Sequence, residues 1–66
     1  MTEDEYKAAI RQIPLFYERD TEDGTATICR DINNLPVYVA KPESLAPEDR
    51  VAAVELYREL YSPARH

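Results

Sequence analysis

Tryptophan is absent from this chain, and glycine, cysteine, methionine and histidine each occur once. One glycine, Gly24, cannot build a phosphate-cradling loop, which needs repeated backbone freedom. One cysteine, Cys29, excludes an internal disulfide framework. A lone thiol suits a reducing compartment, so a cytoplasmic protein is expected. Cysteine–histidine zinc spacing is missing, and the glycine of Asp20-Thr21-Glu22-Asp23-Gly24 falls fifth where a calcium loop needs it sixth. We therefore expect no metal and no cofactor. The single histidine, His66, stands at the end of the chain, where catalytic geometry is hard to hold. Nothing in the sequence brings it to Cys29 as a nucleophile–base pair. No catalytic residue is expected, and the chain is read as not an enzyme.

No apolar run approaches the length of a spanning helix, and the N-terminus is acidic rather than signal-like, so no membrane association is expected. Basic residues are also in deficit: 8 Lys+Arg stand against 13 Asp+Glu, a formal charge of −5. That balance opposes general affinity for nucleic acid. It favours a soluble chain and suits attraction to a basic protein partner.

What is present is a pattern of helices and strands. Pro47 to Tyr61 reads as the packing helix. Pro47 has the fixed φ of a first helical position. Glu48 and Asp49 place negative charge in the first turn. Pro63 opposes continuation. At 100° per residue, Ala53, Val54, Leu56, Tyr57, Leu60 and Tyr61 fall in one arc of roughly 160°. Glu48, Ala52, Glu55 and Glu59 line a different side. A first helix starts at Thr2, where Thr2-Glu3-Asp4-Glu5 matches a capping box. Tyr6, Ala9, Ile10 and Ile13 follow at helical spacing, and Pro14 ends the helix near Ile13.

Leu15-Phe16-Tyr17 fits an edge strand or a short helical turn, and we favour the strand. Asp23-Gly24 marks a hairpin loop. Thr25 to Asp31 and Val37 to Ala40 read as paired strands. A two-residue turn at Asn33-Asn34 sets Ile28 opposite Val39 and Arg30 opposite Val37, and puts Ile28, Val37 and Val39 on one face. Cys29, Thr27 and Tyr38 then share the open face. Lys41 to Ala46 connects to the last helix, and Ser62 to His66 is a tail expected to fray.

The expected fold is α+β, a single small domain over residues 1–66. A helix, an antiparallel β-hairpin or three-stranded meander, and a second helix follow in order, with both helices on one sheet face. Its core would hold Tyr6, Ala9, Ile10, Ile13, Ile28, Val37, Val39, Val54, Tyr57 and Leu60. So short a chain buries only roughly 60% of its unfolded surface, so the core is marginal and self-association would help.

Five tyrosines without tryptophan suit an interface, since tyrosine joins apolar area to a polar tip. The expected function is a small acidic protein-interaction module: an adaptor, regulatory subunit or inhibitor of a larger protein. The expected docking residues are Tyr38 and Tyr61 with the stripe Glu48, Glu55 and Glu59. The partner is a protein, basic by charge complementarity, or a second copy of the chain. The alternatives are a nucleic-acid-linked regulator, with Arg11, Arg19, Arg30 and Arg58 as phosphate contacts, and an acidic mimic of nucleic acid.

Overall fold

A computed structural model describes residues 1–62. Helix α1 (Glu3–Arg11) leads into strands β1 (Phe16–Asp20), β2 (Ala26–Arg30) and β3 (Pro36–Ala40). A single 3-10 turn (Pro42–Ser44) precedes helix α2 (Pro47–Tyr61). The three strands form one antiparallel sheet in the order β1-β2-β3. The α+β architecture, the meander and the bounds of α2 agree with the sequence reading. The expected tail beyond Ser62, with Pro63 and His66, lies outside the described residues.

The capping box forms as expected. The Thr2 hydroxyl accepts from the Glu5 N–H at 3.1 Å, and the Glu5 carboxylate accepts from the Thr2 N–H at 2.8 Å. Regular α-helix ends at Arg11 rather than near Ile13. The Gln12 and Ile13 N–H groups reach back only three residues, to Ala9 and Ile10, so the last turn tightens before Pro14.

The hairpin register differs from the expected one by a single residue. Thr27 pairs with Val39, Ile28 with Tyr38 and Cys29 with Val37. The turn is not the two-residue Asn33-Asn34 turn. Asp31 donates its N–H to the Leu35 carbonyl at 3.0 Å, which closes a loop of Ile32, Asn33 and Asn34. Asn34 takes the left-handed conformation, φ 63°, as a three-residue hairpin requires of its last loop residue. The Asp31 carboxylate holds the loop by accepting from the N–H groups of Asn33 (2.8 Å) and Leu35 (2.9 Å). An extra loop residue turns every β2 side chain to the opposite face relative to β3. Cys29 therefore joins Val37 and Val39 in a buried cluster. Ile28 leaves that face and lies with Tyr38.

Ile10 of α1, with Tyr57 and Tyr61 of α2, packs against the Cys29, Val37 and Val39 cluster. Both helices thus cover one sheet face. A second cluster, Tyr6, Ala9 and Val54, joins the helices to each other. Leu60 does not belong to the core. It is 58% exposed, and Leu56 is 52% exposed. Only the arc centred on Val54, Tyr57 and Tyr61 meets α1 and the sheet, and no described element covers the Leu56–Leu60 flank.

Tyrosine hydroxyls cap the end of the free β3 edge at Ala40. Lys41 donates its N–H to the Thr25 carbonyl, so the alternation of an antiparallel ladder turns both backbone groups of Ala40 outward. The Tyr6 hydroxyl donates to the Ala40 carbonyl at 2.6 Å, and the Ala40 N–H donates to the Tyr57 hydroxyl at 3.1 Å. Tyr6 is 2% exposed. Burial, and then the neighbouring Tyr57, push its phenol well above the ordinary value.

Tyr6→Phe keeps the ring but leaves the Ala40 carbonyl without its donor. The expected loss is about 1–3 kcal/mol in urea unfolding. A raised folded-state pKa means the Tyr6 contribution is whole below the unfolded value near pH 10 and falls above it, because the unfolded chain releases a proton that the folded chain keeps. The variant should therefore lose stability less steeply above about pH 10. A loss below about 0.5 kcal/mol would show that water replaces the hydroxyl. Leu60→Ala should stay within about 0.5 kcal/mol of the parent, since its side chain is not in the core.

Candidate sheet-face docking site

Alternation along the strands assembles one uncovered sheet face. Ile28 and Tyr38 are register partners, as are Phe16 and Arg30, and Arg30 and Pro36. Period two puts Arg30 on the face of Ile28, and so Phe16 and Pro36 with it. A bulge between Tyr17 and Arg19 brings Arg19 opposite Ile28 on this face as well. Both helices lie on the other side.

Ile28 is only 4% exposed although no helix among the described residues covers it. The long side chains of its register partners Tyr38 and Arg19, and of Arg30 two residues along, share its face. Phe16 is 62% exposed and Tyr38 63%. The polar edge of the face is already organised. Glu18 accepts from Arg30 Nε at 3.0 Å and lies 3.8 Å from Arg19 Nε. Arg30 also donates to the Asn34 carbonyl at 3.1 Å. The face thus offers aromatic area around a closed apolar centre, with its arginines partly neutralised.

The expected docking residues divide between two sides of the molecule. Tyr38 stands on the open face. Glu48, Glu55 and Glu59 are exposed on α2, on the side turned roughly 120–180° from Tyr57 and Tyr61 at 100° per residue. The sheet lies between them, so Tyr38 and the carboxylates do not form one patch. Tyr61 is half-buried against the Cys29, Val37 and Val39 cluster, with its ring 6.5 Å from that of Tyr57. Phe16 was not singled out by sequence reasoning. Only the β1–β2 register shows that it shares a face with Tyr38.

Other residues weighed for chemistry also have definite places. Cys29 is buried, and that burial pushes its thiol pKa up, which keeps it protonated and unreactive at neutral pH. Its imagined partner His66 lies outside the described residues. In the acidic loop, Asp23 Oδ1 accepts from the Thr25 N–H, the Thr21 hydroxyl and the Thr25 hydroxyl. Those bonds, the Thr25 N–H foremost, hold its carboxyl down at about 2. Its side chain is thereby committed to the turn. Of the four arginines considered as phosphate contacts, Arg19 and Arg30 are drawn to Glu18, while Arg11 and Arg58 stand on separate helices. No helix of the described residues is long and apolar enough to cross a membrane.

No protein-family model, curated protein or solved structure matches this chain.

Tyr38→Ala removes a cross-strand neighbour of Ile28, and an expected loss of about 0.2–1 kcal/mol follows from that pair. Exchange-detected amide protection at Ile28 should fall with it. A loss above about 2 kcal/mol would mean that Tyr38 is a core residue rather than a surface anchor.

Proposed function

We propose that this chain is a small non-enzymatic protein-interaction module, an adaptor, regulatory subunit or inhibitor, that docks on a larger protein through the open sheet face. One observation carries the reading. Two large aromatic side chains, Phe16 and Tyr38, stand more than half exposed on a sheet face that no described element covers. Rigid aromatic anchors with a polar rim are the composition of interface centres.

The sheet edges favour docking by the face rather than by an added strand. On β3 the outward positions are Pro36, Tyr38 and Ala40. Pro36 has no N–H, and both Ala40 groups are taken by tyrosines. On β1 the bulge between Tyr17 and Arg19 breaks the ladder, a device that discourages edge pairing. The carboxylates of Glu48, Glu55 and Glu59 need not touch a partner to matter. Their field would orient a basic protein during approach, with a reach of about 8 Å at physiological salt.

Capture experiments with immobilised parent and Phe16→Ala/Tyr38→Ala protein test this reading. The parent should retain a defined protein that the folded variant binds at least about tenfold more weakly, mainly through faster dissociation. Glu55→Lys/Glu59→Lys should slow association and leave dissociation nearly unchanged. Equal retention of the same proteins by parent and Phe16→Ala/Tyr38→Ala would overturn the assignment of the face. Tight, salt-dependent binding of duplex DNA or RNA would overturn the protein-partner reading itself.

A further inference from the structure

Two surfaces away from the open face have complementary chemistry. The first is a groove of about 450 Å³ on the helix side of the sheet, between α1 and the three strands, with Tyr17 of β1 at its rim. It exists because the helices pack over the Cys29, Val37 and Val39 cluster and leave β1 uncovered. Tyr17 pairs with Cys29 and so faces the helices, yet it is 67% exposed. Ile10, Leu15 and Tyr17 supply apolar lining, and Lys7 and Arg11 of α1 line the same groove. Lys41 and Glu43 stand there too, but Lys41 is held by Asp20 at 3.1 Å. Arg19, Arg30, Lys41 and Arg50 each lie within 4 Å of a carboxylate. Lys7, Arg11 and Arg58 have no such partner among the described residues, and of these three only Lys7 and Arg11 line the groove.

The second surface is the outer flank of α2. Leu56 and Leu60 are 52% and 58% exposed. Glu55 and Glu59 lie about 100° round the helix from them and are exposed as well. Here two leucines four residues apart run beside two carboxylates four residues apart. Four residues advance a helix by about 6 Å, so the Glu55–Glu59 spacing matches that of Lys7 and Arg11 on α1.

We infer that the groove receives α2 of a second copy of this chain. Leu56 and Leu60 seat on Ile10, Leu15 and Tyr17, and Glu55 and Glu59 pair with Lys7 and Arg11. A helix laid beside α1 satisfies both sets at once, whereas nucleic acid or a lipid headgroup would supply the charge without the paired apolar side chains. Two such contacts related by a two-fold axis close a dimer. The contact leaves Phe16 and Tyr38 free, so loss of the docking face and loss of this contact are told apart by Phe16→Ala/Tyr38→Ala, whereas charge reversal at Glu55 and Glu59 acts on both.

Charge-swap sedimentation tests it, with three samples: Lys7→Glu/Arg11→Glu, Glu55→Lys/Glu59→Lys, and their equimolar mixture. The parent should self-associate reversibly between about 1 μM and about 1 mM. Each swapped protein alone should associate at least about tenfold more weakly, and the mixture should recover association, because each groove again meets a helix of opposite charge. Circular dichroism checks that the swapped proteins fold. Should either fail, Lys7→Gln/Arg11→Gln and Leu56→Ser/Leu60→Ser replace them, and each should weaken association. Phe16→Ala/Tyr38→Ala should self-associate like the parent. A parent that stays monomeric to about 1 mM, a mixture of folded swapped proteins that does not recover, or association lost in Phe16→Ala/Tyr38→Ala would each overturn the inference.

Discussion

Two tyrosine hydroxyls, from Tyr6 on α1 and Tyr57 on α2, meet the outward backbone groups of a single residue, Ala40, at the end of β3. Each hydrogen bond is worth only about 0.5–1.5 kcal/mol net, but a buried backbone group left unpaired costs about 1–3 kcal/mol. The constraint is therefore mainly negative: the helices cannot slide along the sheet without orphaning Ala40. This fixes both helices at the β3 side. It also explains why two of the five tyrosines are structural. Their rings fill the helix–helix and helix–sheet contacts while their polar tips finish the edge of the sheet.

Anchoring at β3 decides where surface remains. Two short helices placed over β2 and β3 leave β1 exposed along its length. Its side chains then open onto two different environments. Phe16 joins Tyr38 on the face without helices, and Tyr17 lines the groove beside α1. A domain of this size cannot cover both sides of a three-stranded sheet, so apolar surface is left over as a matter of geometry. Its division into an aromatic face and a groove flanked by Lys7 and Arg11 gives the two surfaces different chemistry. The acidic back of α2 is complementary to Lys7 and Arg11 in charge and spacing, and the sheet separates it from Tyr38.

The elements were legible because their signals are local. The Thr2–Glu5 capping box, Pro47 at the head of α2, and the β-branched run before Asp31 each act through neighbouring residues. The hairpin face was not legible in the same way. Asn33-Asn34 is a plausible two-residue turn, and that register put Ile28 with Val37 and Val39. The loop is one residue longer because the Asp31 carboxylate can bond the N–H groups of Asn33 and Leu35 together. That side chain was present in the sequence, but only the closed loop shows that it caps the turn rather than ending a strand. One residue then exchanged Cys29 for Ile28 in the buried cluster.

The sequence by itself determined the order of elements, the bounds of α2, the capping of α1, the acidic stripe of Glu48, Glu55 and Glu59, and the exposure of Tyr38. These depend on propensity, on period and on charge, which a linear chain carries. Tertiary structure alone decided that Leu60 is exposed, that Phe16 and Tyr38 share a face, that Tyr61 packs inward, and that Lys7 and Arg11 flank a groove. An amphipathic arc states which residues prefer burial, but the area available depends on how many elements arrive to cover it. Among the described residues, α1, one side of a small sheet and the short segment around Pro42 and Leu45 meet α2, and none of them reaches Leu56 or Leu60, so the arc of roughly 160° is wider than the contact it serves.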